Sequence, residues 1–302
     1  MDSRIQQLRT ALEKTIVGKA EAINLTLTAL LAGGHALLED VPGVGKTLLA
    51  KSLARAIDGT FQRIQCTPDL LPTDITGTSV WNPQNGRFEF LPGPIFGNIV
   101  LADEINRATP RTQSALLEVM EEQQVTVDGQ TRAVPLPFFV IATQNPIEYQ
   151  GTYPLPEAQL DRFALCFSLG YPTPEEELGI LSKLEQGSPL LNLTAWVTLA
   201  DIEAMRQGCL AIRVAAPLQQ YIVDLVRATR THPDLTLGAS PRATVILQRV
   251  GQAWAYLQGA EFVTPDDIKY LAPFVLSHRL IPQAGKSAAR VVANLLASVA
   301  VP

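Results

Sequence analysis

The sequence predicts an α/β domain with a central, mostly parallel sheet, followed by a smaller domain made of helices. Continuous apolar runs that end in polar residues are typical of strands buried on both faces of a parallel sheet. Such runs lie at residues 36–38, 99–102 and 138–142. A glycine-rich turn joins the first run to a helical pattern, and strand signals disappear after Tyr171. Together these observations predict an α/β fold that gives way to helices.

The helical domain is predicted from its helix starts. Thr173-Pro174-Glu175-Glu176 has the spacing of a capping box, in which Thr173 is the N-cap residue. Ser240-Pro241-Arg242 and Thr264-Pro265-Asp266 repeat the order of a hydroxyl cap and then proline. The predicted domains are therefore residues 1–171 and residues 172–302.

Composition limits the classes of function. The 302 residues are 47% hydrophobic and 18% charged, which is typical of an ordered globular protein. The net charge of −5 disfavours non-specific binding to nucleic acid, because phosphates repel an acidic surface. Cys66, Cys166 and Cys209 are widely spaced and form no Cys-x-x-Cys pair, as expected in a reducing compartment. The three histidines are scattered, so we expect no transition-metal site.

The chain is expected to work in the cytoplasm without membrane insertion. Its N-terminus is polar and lacks the apolar core of a secretory signal. No apolar run approaches the roughly 20 residues that a membrane-spanning helix needs.

The strongest motif is Val41-Pro42-Gly43-Val44-Gly45-Lys46-Thr47, between the run at residues 36–38 and a helical pattern. This order of strand, glycine-rich turn and helix is that of a phosphate-binding loop. Lys46 is expected to reach the β- and γ-phosphates, and the Thr47 hydroxyl to ligate Mg²⁺. The first glycine of the strict motif is replaced by Asp40.

A nucleoside triphosphate with Mg²⁺ is the ligand that this loop predicts. ATP is preferred over GTP because the chain has no Asn-Lys-x-Asp motif for guanine. The predicted contacts from the loop are Pro42, Gly43, Val44, Gly45, Lys46, Thr47 and Leu48.

A pair of acids follows the second apolar run. Asp103 and Glu104 would stand at the carboxyl end of a buried strand, where open α/β sheets bind their ligands. Asp103 is expected to hold Mg²⁺, directly or through water, and Glu104 to orient and deprotonate the attacking water. The same pattern also fits an ordinary strand that ends in a solvated acidic turn. After a phosphate loop, however, the pair favours hydrolysis over transfer to an acceptor.

Asn145 follows the third apolar run. Its amide could hydrogen-bond the γ-phosphate or the attacking water. Alternatively, it forms a turn before Pro146.

Two β-hairpins and one helix are predicted between these motifs. The hairpins turn at Asn85-Gly86 and Asp128-Gly129, which are strong turn signals. The helix starts at Thr109-Pro110, and its apolar positions 115, 116, 119 and 120 form a face for the core.

The sequence resembles the AAA+ ATPases, and within them the MoxR family. The resemblance runs from Val17-Gly18-Lys19 into the helical domain. The segments that carry it are residues 38–47, 101–108, 142–146 and 151–163. It implies an AAA+ phosphate-loop domain with a central parallel sheet and inserted hairpins, followed by a small all-helical lid domain.

The resemblance also implies roles for single residues. Asn145 matches the first sensor of AAA+ proteins, Arg162 the arginine finger, and Arg242 the second sensor on the lid. Val17 and Gly18 match residues beside the adenine. Arg242 has independent physical support, since a cation in the first turn of a helix opposes the macrodipole unless an anion docks there.

Three functions from different classes remain open. By resemblance, the first is a ring-forming ATPase, expected to be a hexamer, that acts as a chaperone or remodelling motor on client proteins. Family members often work with a partner that contains a von Willebrand factor A domain. In related rings the inserted hairpins face a pore or a client, and the alternative is that they only stabilise the subunit. The second is an AAA+ machine acting on nucleic acid, which the acidic charge disfavours. The third is a small-molecule kinase. The acid pair and the Arg162 candidate argue against it.

Overall fold

The computed structural model describes residues 3–145, 151–185, 187 and 189–302. The strands are β1 (Ala36–Glu39), β2 (Phe61–Gln65), β3 (Gly77–Asn82), β4 (Arg87–Pro92), β5 (Ile99–Asp103), β6 (Gln124–Val127), β7 (Gln130–Ala133), β8 (Phe139–Gln144), β9 (Leu165–Phe167), β10 (Leu235–Leu237) and β11 (Ile281–Pro282). The helices are α1 (Ser3–Thr15), α2 (Ala20–Leu31), α3 (Lys46–Ala56), α4 (Pro72–Thr76), α5 (Pro110–Glu122), α6 (Glu157–Leu160), α7 (Pro174–Glu185), α8 (Leu199–Ala211), α9 (Ala216–Arg230), α10 (Pro241–Gln258), α11 (Pro265–Leu276) and α12 (Ala288–Ser298). Single 3₁₀ turns lie at Pro94–Phe96, Ile105–Arg107 and Ser277–Arg279.

A five-stranded parallel sheet organises the first domain, with the strand order β2-β5-β8-β1-β9. This confirms the predicted parallel sheet. Gln65 at the end of β2 is paired with Asp103, and Glu39 at the end of β1 with Gln144. The carboxyl ends of four strands therefore meet at one edge, which is where α/β sheets place their ligands.

Both faces of the sheet are covered, which explains why its central strands read as continuous apolar runs. Ile99 and Leu101 of β5 face a core shared with α1 to α3 and the helical domain. Val100 and Ala102 face the opposite core, which includes Leu116 and other residues of α5. Of the apolar face predicted for α5, Leu116, Val119 and Met120 are buried and Ala115 is partly buried.

His35 ties together three elements at the amino end of the sheet. Its Nδ1 accepts the Val140 N–H at 3.0 Å, so its Nε2 carries the proton and donates to the Met120 carbonyl at 3.1 Å. Burial lowers the pKa of His35 to about 4. The ring is therefore neutral at physiological pH and serves as a structural connector.

Both predicted hairpins form. In the first, the cross-strand pair Trp81 and Phe88 packs edge to face with ring centroids 5.3 Å apart. In the second, Asp128 and Gly129 both have positive φ, as a tight hairpin turn requires. The Arg132 guanidinium lies 4.0 Å from the ring centroid of Phe90, so the two hairpins pack against each other.

The second domain is helical, from α7 to α12, and its helix starts are capped as predicted. Thr173, Ser240 and Thr264 each accept a backbone N–H from the first turn that follows. The domain also contains one feature that the sequence pattern did not predict, the antiparallel ribbon of β10 and β11. These strands are three and two residues long, too short to show a period of two.

The predicted boundary between residues 171 and 172 lies in the connection between β9 and α7. One continuous core extends across this boundary, from Leu12 of α1 and Leu30 of α2 to Leu247 of α10. The division into two domains therefore stays a prediction. No helix within the described part of the chain is long and apolar enough to span a bilayer.

Candidate nucleotide-binding site

The glycine-rich loop has the backbone geometry of an anion cradle. Gly43 and Gly45 have φ of +88° and +103°, in the left-handed region where residues with a Cβ are strained. Gly45 is the N-cap of α3, so the N–H groups of the first helical turn are open towards the loop. Lys46 Nζ folds back over the loop and donates to the carbonyls of Asp40 and Val41, at 3.0 and 3.1 Å.

A polar cavity of about 410 Å³ lies at this edge of the sheet. It brings together side chains from the loop, from the ends of β2 and β5, and from the residue after β8. Its lining consists of Pro42, Gly43, Gly45, Lys46, Thr47, Leu48, Arg63, Gln65, Asp103, Glu104 and Asn145. Most of the residues that the sequence predicts for the phosphates, metal and water therefore share one cavity.

Thr143 holds the two acids in place. Its hydroxyl donates to Asp103 Oδ1 at 2.7 Å and accepts the Glu104 N–H at 2.9 Å. Glu104 has φ +58° and ψ +51°, a left-handed conformation that costs a non-glycine residue about 1–3 kcal/mol. Strain of this kind is concentrated at functional sites, where the surrounding structure supports it.

Each acid is also paired with a guanidinium group. Arg63 lies 2.6 Å from Asp103 Oδ2, and Arg107 lies 3.0 Å from Glu104 Oε2. Gln65 Nε2 donates to the same oxygen of Glu104 at 3.2 Å. The sheet register explains this contact, because Gln65 is the neighbour of Asp103 across the parallel pair of β2 and β5.

The oxygen atoms in the cavity suit a magnesium ion. Thr47 and Asp103 offer a hydroxyl and a carboxylate, the hard ligands that Mg²⁺ prefers. Within the described ranges, no three His, Cys, Asp or Glu side chains cluster as a metal cage would require. Mg²⁺ at nucleotide sites uses one or two protein ligands with phosphates and water, so the two oxygens fit it.

An apolar cavity of about 230 Å³ adjoins the polar one, and the two share Gly43, Gly45 and Leu48. Its apolar wall is formed by Ile16, Val17, Val44, Leu48, Pro172 and Ile180. Val17 and Val44, both predicted as nucleotide contacts, lie here and not beside the acids. Pro172 and Ile180 come from the helical domain, so that domain closes the cavity.

Gly18, also predicted beside the base, makes room for the start of α7. Its φ is +72°, and a Cβ at this position would overlap the carboxyl group of Glu176. Glu176 is not free to move away, because its Oε2 accepts the Thr173 N–H at 2.8 Å in the capping box. The absence of a side chain at Gly18 therefore allows α7 to lie against the apolar cavity.

We expect Gly18→Ala to lower the melting temperature more than Gly33→Ala does. Gly33 has nearly the same φ, +71°, but a Cβ there would meet no atom within 4 Å. Both variants have the backbone strain of about 1–2 kcal/mol, and only Gly18→Ala adds the clash with Glu176. Thermal unfolding of both variants measures the difference. Equal losses of stability would show that Glu176 adapts without cost.

Arg162 and Arg242 lie together, but away from the phosphate loop. Glu121 of α5 pairs with both, with Oε2 at 3.3 Å from Arg162 Nε and Oε1 at 2.7 Å from Arg242 NH1. All three side chains line a separate cavity of about 260 Å³, together with Arg249. Neither arginine is among the residues that line the polar cavity of the same chain.

A buried network fixes the backbone segments that carry these two arginines. Asp161 accepts hydrogen bonds from Ser240 Oγ at 2.7 Å and from Arg279 Nε at 2.8 Å. Burial lowers the pKa of Arg279 to about 10, and the neighbouring Asp161 opposes this shift. The guanidinium stays charged at neutral pH. The start of α10 and the turn after α6 are therefore held as one unit.

Asn145 is 8% exposed and lines the polar cavity. The alternative in which it forms a turn involves Pro146, which lies outside the described residues. The contribution of Asn145 to catalysis stays a prediction.

Comparison with known proteins places the chain in a family. A profile of the ATPase family associated with various cellular activities (AAA) matches residues 35–165, and an AAA lid domain profile matches residues 227–295. The chaperone MoxR1 of Mycobacterium tuberculosis is 43% identical, over 89% of this chain and 73% of that protein. The chain belongs to the MoxR family of AAA+ ATPases.

Other relatives of this MoxR-family chain extend over nearly its full length. The uncharacterized protein YeaC of Bacillus subtilis is 51% identical, over 96% of this chain and 92% of that protein. A crystal structure from Cytophaga hutchinsonii, of a protein assigned as an ATPase, superposes with a TM-score of 0.93 at 39% identity. That match spans 99% of this chain and 95% of the other. The AAA+ fold with its lid is thereby confirmed.

Several residues of the candidate site and of the arginine pair have no signal in the sequence pattern. Arg63 and Gln65 lie on β2, an edge strand whose residues are mostly exposed and give no apolar run. Thr143 was visible only as part of the polar end of β8. Glu121 is an ordinary helix-surface residue by sequence, and only the fold brings it between two arginines.

Proposed function

We propose that the protein binds ATP with Mg²⁺ at the phosphate loop and hydrolyses it as part of a ring of identical subunits. The observation that carries this proposal is the junction of two cavities at Gly43, Gly45 and Leu48. One is polar and contains Lys46, Thr47 and the two acids, and the other is apolar. A triphosphate and an adenine base, joined through ribose, require this combination.

The side chains divide the chemistry among them. Lys46 and the loop N–H groups would hold the phosphates, and Thr47 and Asp103 would hold Mg²⁺, which would offset the negative charge that develops on the phosphates. Glu104 orients the attacking water and takes its proton. Asn145, at the end of the neighbouring strand, is placed to hydrogen-bond the water or the γ-phosphate. Val17, Gly18 and Ile180 surround the base.

In this proposal, Arg162 and Arg242 contact the nucleotide that is bound to a neighbouring subunit. They share Glu121 and a cavity distinct from the phosphate cavity of their own chain. A guanidinium stabilises phosphoryl transfer only if it reaches the γ-phosphate, so the two arginines need a partner chain. We propose a closed ring, expected to be a hexamer, in which one chain's arginine face meets the next chain's nucleotide.

The work done by hydrolysis is proposed to be the remodelling of a client protein. Trp81 and Phe88 at the first hairpin are 52% and 70% exposed, an aromatic surface suited to a protein partner. The M. tuberculosis relative is named a chaperone. A von Willebrand factor A domain partner would bring the client. The same aromatic tips, without a lysine cluster, disfavour a nucleic-acid substrate.

A cytoplasmic location accords with the state of the cysteines. Cys66, Cys166 and Cys209 are free thiols. Burial raises the pKa of Cys66 and of Cys209 to about 12, so both are protonated and unreactive at neutral pH. Their role is to pack in the core, as in proteins of a reducing compartment.

We expect Lys46→Ala to weaken ATP binding by about 10- to 100-fold, because a charged contact with the phosphates contributes about 1.5–3 kcal/mol. Lys51→Ala is the matched control, since Lys51 is an exposed lysine on the same helix. Titration with a fluorescent ATP analogue measures both affinities. Equal affinities in the two variants, or no binding by the unmodified protein, would contradict the proposed site.

A further inference from the structure

Asp40 occupies the position where the strict phosphate-loop motif has glycine, and its side chain is 4% exposed. The carboxylate accepts three hydrogen bonds from consecutive residues. The donors are Ser168 Oγ at 2.6 Å, Leu169 N–H at 2.6 Å and Gly170 N–H at 3.0 Å. Three donors satisfy the buried carboxylate, which would otherwise be costly to remove from water.

The backbone of Asp40 contacts two segments of the proposed nucleotide site. Its carbonyl accepts from Lys46 Nζ at 3.0 Å, and its N–H donates to the Gln144 carbonyl at 3.2 Å. Gln144 directly precedes Asn145. Asp40 therefore contacts Lys46 and the end of β8 through its backbone. Through its side chain it contacts residues 168–170.

Residues 168–170 lead directly into the helical domain. The next carbonyl, that of Tyr171, accepts from Lys19 Nζ at 3.0 Å. Pro172 and Ile180 then contribute to the apolar cavity, and α7 begins at Pro174. Proline has a fixed φ, so this short connection has little freedom to absorb a displacement at Gly170.

We propose that Asp40 is a positioning residue that couples the phosphate loop to the helical domain. The hydrogen bonds of its carboxylate join residues 168–170, which lead into α7, to the first residue of the loop. A displacement of the loop is therefore transmitted to the helical domain, which closes over the base. A glycine at this position leaves the phosphate-binding loop intact but removes the three hydrogen bonds to residues 168–170. The inference rests on the proposed nucleotide function and assigns Asp40 no contact with the substrate.

The test is hydrogen–deuterium exchange on the full chain, with and without Mg·ADP, together with steady-state ATP hydrolysis. Three variants remove all or some of the hydrogen bonds that Asp40 accepts. Asp40→Gly removes all three bonds, Asp40→Asn has one amide oxygen that accepts at most two, and Ser168→Ala removes one donor. Asp58→Asn is the control, because Asp58 is an exposed residue in a left-handed turn that asparagine tolerates.

We expect Asp40→Gly to bind Mg·ADP within about threefold of the unmodified affinity, while kcat falls at least about tenfold. In the unmodified protein, Mg·ADP should slow amide exchange in α7, and this response should be lost in Asp40→Gly. Asp40→Asn and Ser168→Ala, which each retain at most two of the three bonds, should both show responses between those of Asp40→Gly and the unmodified protein. Exchange at residues 169 and 170 reports directly on the lost bonds.

An unchanged response of α7 in Asp40→Gly would overturn the coupling, and so would a parallel loss of affinity and kcat. If Asp40→Gly fails to unfold cooperatively, Asp40→Asn and Ser168→Ala decide the question, and responses equal to the control overturn the proposal. Failure of the unmodified protein to bind Mg·ADP is a different result, since it overturns the proposed function and the coupling with it.

Discussion

Glu104→Gln is expected to bind ATP with unchanged affinity and to hydrolyse it at least about 100-fold more slowly, since general bases contribute about 10²–10⁴-fold. Glutamine has nearly the same shape, so the fold and the phosphate cradle should persist. It lacks the basic carboxylate that takes the proton of water. Parallel measurement of ATP affinity and of phosphate release separates the two effects.

The structure explains why this substitution is a clean test. The Glu104 backbone is held by its N–H bond to Thr143, which does not depend on the side chain. The amide oxygen of glutamine can still accept from Arg107, as the carboxylate does at 3.0 Å. Glu122→Gln, at the exposed end of α5, is the control. Hydrolysis at a normal rate by Glu104→Gln would show that another group is the base.

Arg162→Ala is expected to retain ATP binding and to lose hydrolysis by at least about 10³-fold, the lower range for an arginine finger. ATP binding should persist because Arg162 does not line the phosphate cavity of its own chain. It pairs with Glu121 and lines the cavity shared with Arg242. Steady-state hydrolysis and nucleotide titration measure the two quantities. Arg290→Ala, an exposed arginine on α12, is the control.

Mixed assemblies test whether Arg162 acts across a subunit boundary. An Arg162→Ala chain has an intact phosphate loop, and a Lys46→Ala chain has an intact arginine. Mixing the two should restore part of the hydrolysis, because one chain supplies the nucleotide and the other the guanidinium. If hydrolysis stays absent at every mixing ratio, while each variant still assembles with the unmodified protein, the trans arrangement is wrong.

Local features of the fold were readable from the sequence because local chemistry determines them. The turns at Asn85-Gly86 and Asp128-Gly129 form hairpins since these residues tolerate positive φ. Thr173 and Thr264 cap helices because a hydroxyl satisfies an N–H of the first turn. Buried parallel strands are visible as apolar runs since both of their faces are covered.

Parts of the candidate site could not be read in this way. Gln65 contacts Glu104 because β2 and β5 are adjacent with a particular register, and no residue near Gln65 in sequence indicates this. The ribbon of β10 and β11 joins segments more than 40 residues apart, and each strand is too short to have a pattern. Pairing over such distances is a property of the folded chain.

The sequence by itself determined the glycine-rich loop, the position of the two acids after a buried strand, three strands of the parallel sheet and both hairpins, since backbone conformation and burial depend on neighbouring residues. Only the tertiary structure decided that Arg162 and Arg242 meet at Glu121, away from the phosphate loop of their own chain. It likewise decided that Asp40 accepts three bonds from residues 168–170. The physical reason is that hydrogen bonds and ion pairs act over a few ångströms, so their partners are known only once packing brings distant segments together.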